Sequence, residues 1–174
     1  MATSRRTFFK FGIIGAFTLA AGGTAYRMLH APASLHHFEL DGEAALALGA
    51  IIPALLGLAL PETPEKRAAA IASATEGVRL AVLGLPLTTQ KEVQDLFSLL
   101  ALAPARRFVA GISDSWADAR PDQVSAFLQS WRMHHFAMLQ TAYLALHDLV
   151  LGSWYADPAN WAAISYPGPL KELS

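Results

Sequence analysis

The stretch PDQVSAFLQSWRMHHFAMLQTAYLALHDLVLG, residues 121–152, decides the fold class. Val124, Phe127, Leu128, Trp131, Met138, Ala142, Ala145 and Leu149 recur at three- and four-residue steps, the period of one helix face. Pro121 suits a first helical turn, where its missing amide has no partner to lose. The spacing predicts one long helix from Pro121 to Gly152, with His135 inside the apolar stripe. Phe136, Gln140, Tyr143 and His147 form a second stripe on that helix.

Upstream, the same period repeats in shorter pieces. Asp41 reads as a helix N-cap with Glu43 in the first turn, followed by the almost wholly apolar run Ala44–Ile52. Pro53 should end or kink that helix, and Ala54–Leu60 should form a short second piece before Pro61. Gly49, Gly57 and the central proline argue for a buried core helix here and against a second membrane span. Thr63-Pro64 predicts a helix start running to Leu83, with Ile71, Val78 and Val82 on one side. Thr89 and Glu92 fit a capping box opening a helix from Gln90 to Ala101, with Val93, Leu96, Phe97 and Leu100 on one face. The stretch from Pro104 to Trp116 reads as broken. No run alternates with period two. The expectation is an all-α fold, an irregular bundle of about five helices behind an N-terminal signal helix.

The N-terminus carries that signal. Arg5 and Arg6 stand beside Phe8, Phe9 and Lys10, and an uncharged run from Phe11 to Tyr26 follows. A cationic head, an apolar middle and then small residues are the order of a secretory leader, and paired arginines there are the address of the twin-arginine translocase. The run is about sixteen residues with four glycines, short of the roughly twenty that span a bilayer. Small-x-small cleavage sites end at Ala25 and Ala33. Ala33 is preferred because Arg27 closely follows the first. The reading is a twin-arginine signal peptide over 1–33 and a single helical domain over 34–174, periplasmic, with Ser34–Glu39 a mobile joint.

Hydrophobic residues make up 53% of the chain and charged residues 16%, a balance that calls for an apolar face covered by another protein. The net charge is −1 and no Lys/Arg cluster occurs beyond the leader, which argues against nucleic acid. Cysteine is absent, removing disulfides, lipid attachment at a cysteine, thiolate metal sites and cysteine nucleophiles. No Gly-x-Ser-x-Gly elbow and no glycine-rich phosphate loop occurs. His134, His135 and His147 offer metal chemistry, the alternative being an independent periplasmic binding or metal protein. Glu-x-x-His spacing is missing, however, and adjacent histidines on a helix diverge by about 100°. No catalytic, cofactor-binding or metal residues are therefore assigned.

The C-terminal stretch differs in character. Trp154, Tyr155, Trp161 and Tyr166 crowd around Asp157-Pro158 and run into Tyr166-Pro167-Gly168-Pro169. Asp157-Pro158 reads as the cap and first residue of one helical turn. The aromatics either fold back over the long helix or anchor a partner, since Trp and Tyr dominate interface hot spots.

With the twin-arginine leader, the Leu46–Leu60 apolar helix containing Pro53, and Arg106-Arg107-Phe108, this C-terminal motif resembles the gluconate 2-dehydrogenase subunit 3 family. Its members are the small (gamma) subunits of periplasmic GMC-type flavin dehydrogenases. Ser165 stands where many members have glycine. The resemblance implies a non-catalytic subunit without a cofactor of its own. Its partner would be a leaderless FAD-dependent large subunit oxidising a sugar or alcohol, with a c-type cytochrome as a further partner, and the small subunit would carry the large one through the translocase. The interface expected on this reading comprises Trp131, His135, Trp154, Tyr155, Trp161, Tyr166, Pro167, Gly168 and Pro169.

Overall fold

The computed structural model describes residues 37–164 and 166–168, all within one compact unit spanning His36–Ser174. Arg5, Arg6, Phe8, Phe9, Lys10 and Pro169 lie outside the described residues. The fold is all-α, and no strand occurs among the described residues. Among the described residues six α-helices follow one another: α1 (Gly42–Leu56), α2 (Pro64–Leu83), α3 (Leu87–Ala101), α4 (Ala103–Phe108), α5 (Pro121–Arg132) and α6 (Ala137–Tyr155). Single 3-10 segments cover Gly57–Ala59 and Pro158–Ile164.

α1 is the central element because it is apolar nearly all round. Its Ala44, Ala47, Leu48, Ile51, Ile52 and Leu56 are buried, and α2, α3, α5 and α6 pack against it. Gly42–Ala59 has the length and hydropathy of a membrane span, yet it serves here as the core helix of the bundle. Pro53 does not end it. The proline falls in the last turn, where it removes a single amide from the ladder. Its own carbonyl accepts the Gly57 amide, and Gly57, at φ +52°, turns the chain out of the helix.

α2 spans Pro64 to Leu83 as its sequence predicts, burying Ala74, Val78 and Val82 with Ile71 half-buried. Thr63 contributes its carbonyl to the Arg67 amide at 2.8 Å, while its hydroxyl caps nothing. α3 starts at Leu87, three residues before the expected Gln90. The Pro86 carbonyl takes the Gln90 amide at 2.9 Å, so Thr89 and Glu92 lie inside the helix and form no capping box. The face Val93, Phe97 and Leu100 is buried as expected.

The largest departure is at the long C-terminal helix. It breaks at Met133–Phe136 into α5 and α6, which pack against each other as a helical hairpin. The break is held by side chains that replace the backbone ladder. His134 Nδ1 accepts the Phe136 amide at 3.1 Å, and Gln140 Nε2 donates to the His134 carbonyl at 2.6 Å. The apolar stripe re-phases across it. Val124, Phe127, Leu128 and Trp131 are buried on α5, but Met138 is 72% exposed, and α6 buries Leu146, Val150 and Trp154 instead.

Trp131 lies in the core, 1% exposed. Phe127 meets it edge-on with ring centroids 4.7 Å apart, and Trp116 meets Phe127 at 5.9 Å. Both indoles satisfy their N–H on backbone: Trp131 Nε1 donates to the Val109 carbonyl at 3.3 Å and Trp116 Nε1 to the Leu100 carbonyl at 2.8 Å. Two hydrogen bonds therefore hold the loop after α4 onto α5 and α3. α4 itself is tied to the first turn of α1, where Arg106 Nη1 donates to Glu43 Oε2 at 2.8 Å.

Candidate interaction surface

The aromatic C-terminal stretch folds back on α6. A helix leaves its last carbonyls without amide partners, and here two side chains from the tail supply them. Asn160 Nδ2 donates to the Trp154 carbonyl at 2.8 Å, and Trp161 Nε1 donates to the Tyr155 carbonyl at 2.7 Å. Asp157 Oδ1 accepts the Ala159 amide at 2.9 Å, which starts the 3-10 turn as its sequence suggests. Tyr166 then packs edge-on against Trp161 at 5.1 Å, with its amide on the Trp161 carbonyl at 3.1 Å. The motif Asp157-Pro158 through Gly168 is thus a C-terminal cap built from side chains.

Gly168 closes that cap at φ +94°, and a Cβ there would lie 3.1 Å from Trp161 Cζ3. Gly168→Ala is expected to loosen the tail by about 1–2 kcal/mol, the cost of forcing an L side chain to positive φ. Amide exchange at the Trp161 indole and the Tyr166 backbone checks this, and unchanged protection would refute it.

Of the residues expected to meet a partner, Trp131 and Trp154 are committed to the core, 1% and 6% exposed. Tyr155, Trp161 and Gly168 are half-buried in the tail cap, while Tyr166 and Pro167 remain exposed. His135 leaves the stripe altogether and sits exposed in the α5–α6 break. The divergence of 100° expected of adjacent helical histidines does not apply there. The His134 and His135 rings stack with centroids 4.4 Å apart, and Phe136 lies 4.0 Å from His135. His147 is on α6, its Nδ1 2.9 Å from Asp148 Oδ1. No group of three or more His, Asp or Glu side chains fit to hold a metal occurs among the described residues.

The break also presents apolar side chains to solvent, Phe136 and Met138 of the two expected stripes among them. Met133, Phe136 and Met138 are 71%, 60% and 72% exposed. Phe108 and Val109 are exposed as well, and the Val109 carbonyl accepts the N–H of the Trp131 indole on α5. Arg107 and Arg132, both exposed, neighbour Phe108 and Met133 in sequence. They stand out in an acidic domain: residues 37–168 hold eight Lys and Arg against thirteen Asp and Glu. The signal of the break was present in the sequence as a gap. Trp131 is followed at the third and fourth positions by two histidines, where a continuing stripe requires apolar residues.

The carboxyl held below its ordinary range lies elsewhere, at Glu76 on the exposed face of α2. A hydrogen bond from the Arg79 guanidinium is the main cause, with burial opposing it. This is a surface helix pair at three-residue spacing.

The fold defines the protein as an all-α bundle with an exposed apolar patch at one inter-helix break. Comparison with family models, curated proteins and solved structures finds no match to the chain.

Proposed function

We propose that this chain is the non-catalytic small subunit of a periplasmic FAD-dependent sugar or alcohol dehydrogenase of the GMC type. It leaves the cytoplasm by the twin-arginine route and carries its leaderless partner with it. The observation that supports this reading most directly is the exposure of Met133, Phe136 and Met138 together at the α5–α6 break. Permanent subunit interfaces resemble a core cut in half, and methionines adapt to an irregular facing surface. Tyr166 and Pro167 at the tail cap extend the contact area on this reading.

The resemblance of the leader and the C-terminal motif to the gluconate 2-dehydrogenase subunit 3 family supplies the identity of the partner. Flavin belongs to the large subunit, and a c-type cytochrome completes the electron path in complexes that contain one. The domain's part is structural: α1 to α6 form a rigid support that holds the patch.

The test is affinity purification of the tagged full-length chain from the periplasm of its native host, with an absorbance spectrum of the eluate. The expected result is a larger co-purifying protein with flavin bands. Changing Arg5→Lys and Arg6→Lys together should leave both proteins in the cytoplasm. A colourless single protein sinks the proposal.

A further inference from the structure

The chain reverses at Met133–Phe136 without a glycine or a proline, so a side chain must hold the turn. The His134 ring does so, its Nδ1 accepting the Phe136 amide at 3.1 Å. A side-chain acceptor that takes the amide two residues on is the geometry of an Asx turn, which Asn and Asp ordinarily supply. Here the acceptor is an imidazole nitrogen, and the difference is chemical. An amide oxygen accepts at every pH, whereas an imidazole nitrogen accepts only while it carries no proton. The same turn sets the start of α6, because Phe136 is its N-cap residue and offers no side-chain cap of its own.

A charge placed on His134 meets no compensation. The His135 ring stacks on it with centroids 4.4 Å apart and planes inclined by 23°, and two imidazoliums so placed repel each other. Among the described residues no carboxylate pairs with either ring, the one histidine ion pair being His147 with Asp148. The helices that pack on α5 are α1 and α6. Glu43 of α1 is engaged with Arg106, and His147 and Asp148 of α6 lie about 15 Å along the axis from its first residue. In the loop after α4, Asp118 accepts the Ser115 hydroxyl at 2.6 Å, and Asp114 pairs with neither ring. On α5 itself Asp122 sits beside Arg120 at the far end, while the exposed Arg132 adds a like charge two residues from His134. The two helix ends at the break act on a cation in opposite senses, α5 attracting and α6 repelling, and so largely offset.

We propose that the α5–α6 break is an acid-sensitive turn that regulates the contact made by Met133, Phe136 and Met138. Protonation puts a hydrogen on His134 Nδ1, and the Phe136 amide loses its acceptor. The first turn of α6 then frays, and Phe136 and Met138 leave the arrangement they hold when the ring is neutral. The turn needs the neutral ring, so it is complete on the alkaline side and is lost as pH falls through the imidazole range, about pH 5–8. The Gln140 Nε2 bond to the His134 carbonyl at 2.6 Å does not titrate, which confines the change to the break. That the contact is the subunit interface rests on the function proposed above, while the turn itself does not depend on it.

The purified full-length chain, isotope-labelled, is titrated by NMR across the imidazole range. The Phe136 amide proton should move upfield as the His134 ring resonances titrate, with one common midpoint. In His134→Asn an amide oxygen takes the place of Nδ1, and the Phe136 amide should stay downfield throughout. A wild-type Phe136 amide that ignores the His134 titration, or a His134→Asn amide that still follows pH, overturns the inference. Regulation is read on the affinity eluate, as flavin bound per chain at the acid and alkaline ends of that range. It should fall about fivefold or more in acid for the wild type and less than about twofold for His134→Asn. Equal wild-type yields at both ends overturn the regulatory role. If no flavoprotein is bound at either end, the subunit reading has failed, while the NMR titration still decides the turn.

Discussion

Trp131→Ala lowers the stability of the domain by about 3–5 kcal/mol, the range for emptying a buried aromatic site. The indole is 1% exposed, packs edge-on against Phe127, and closes the loop after α4 through its bond to the Val109 carbonyl. Truncation leaves a cavity between α5 and that loop and strands a carbonyl as well. Neither defect relaxes cheaply, because α1 and α6 both pack on α5. Urea unfolding followed by circular dichroism measures the loss as a drop in midpoint at unchanged slope. A variant of wild-type stability that merely loses its partner would mean that Trp131 belongs to a contact surface and not to the core.

Phe136→Asp should behave in the opposite way. Its side chain is 60% exposed at the start of α6 and lies in a ring cluster with His134 and His135. Stability should not fall, because Phe136 holds the N-cap position of α6, where an Asp carboxylate can accept an orphan amide for a gain of about 0.5–2 kcal/mol. Binding of the flavoprotein should weaken by at least about 2 kcal/mol, a thirty-fold loss, since an aromatic anchor is replaced by a carboxylate that the interface would desolvate. The yield of flavin per small subunit in the affinity eluate reads this directly. Full flavin recovery with Phe136→Asp would move the interface away from the α5–α6 break. Trp131→Ala and Phe136→Asp together separate loss of the support from loss of the contact.

Much of the architecture was legible beforehand because it depends on local chemistry. The periodicity in α2, α3 and α5, the proline at the head of α2 and of α5, and the turn at Asp157-Pro158 each involve neighbours within a turn of helix. The errors share one cause. Pro53 was expected to end or kink α1, but the helix runs on to Leu56 and Gly57 ends it, because a proline in the last turn removes one bond and leaves the carbonyl free to close the end. The α5–α6 break carries no glycine or proline. It depends on Gln140 reaching back six residues to the His134 carbonyl and on α6 folding against α5. Ser34–Glu39 looked like a loose joint because nothing nearby in sequence binds Phe38. Its partners, Gln90 and Phe97, are more than fifty residues away.

By itself, then, the sequence determined the helical class, the positions of most helices, the buried faces of α2, α3 and α5, and the absence of cysteine chemistry. These follow from backbone hydrogen bonding and from apolar spacing, which act over three or four residues. Only the tertiary structure decided which apolar side chains remain on the surface. Trp131 and Trp154 are as hydrophobic as any exposed residue here, yet the core claims them, while Met133, Phe136 and Met138 fall where the chain reverses direction. Which of several apolar residues is buried depends on how a helix is rotated against its neighbours. A break of four residues re-phases that rotation for everything that follows.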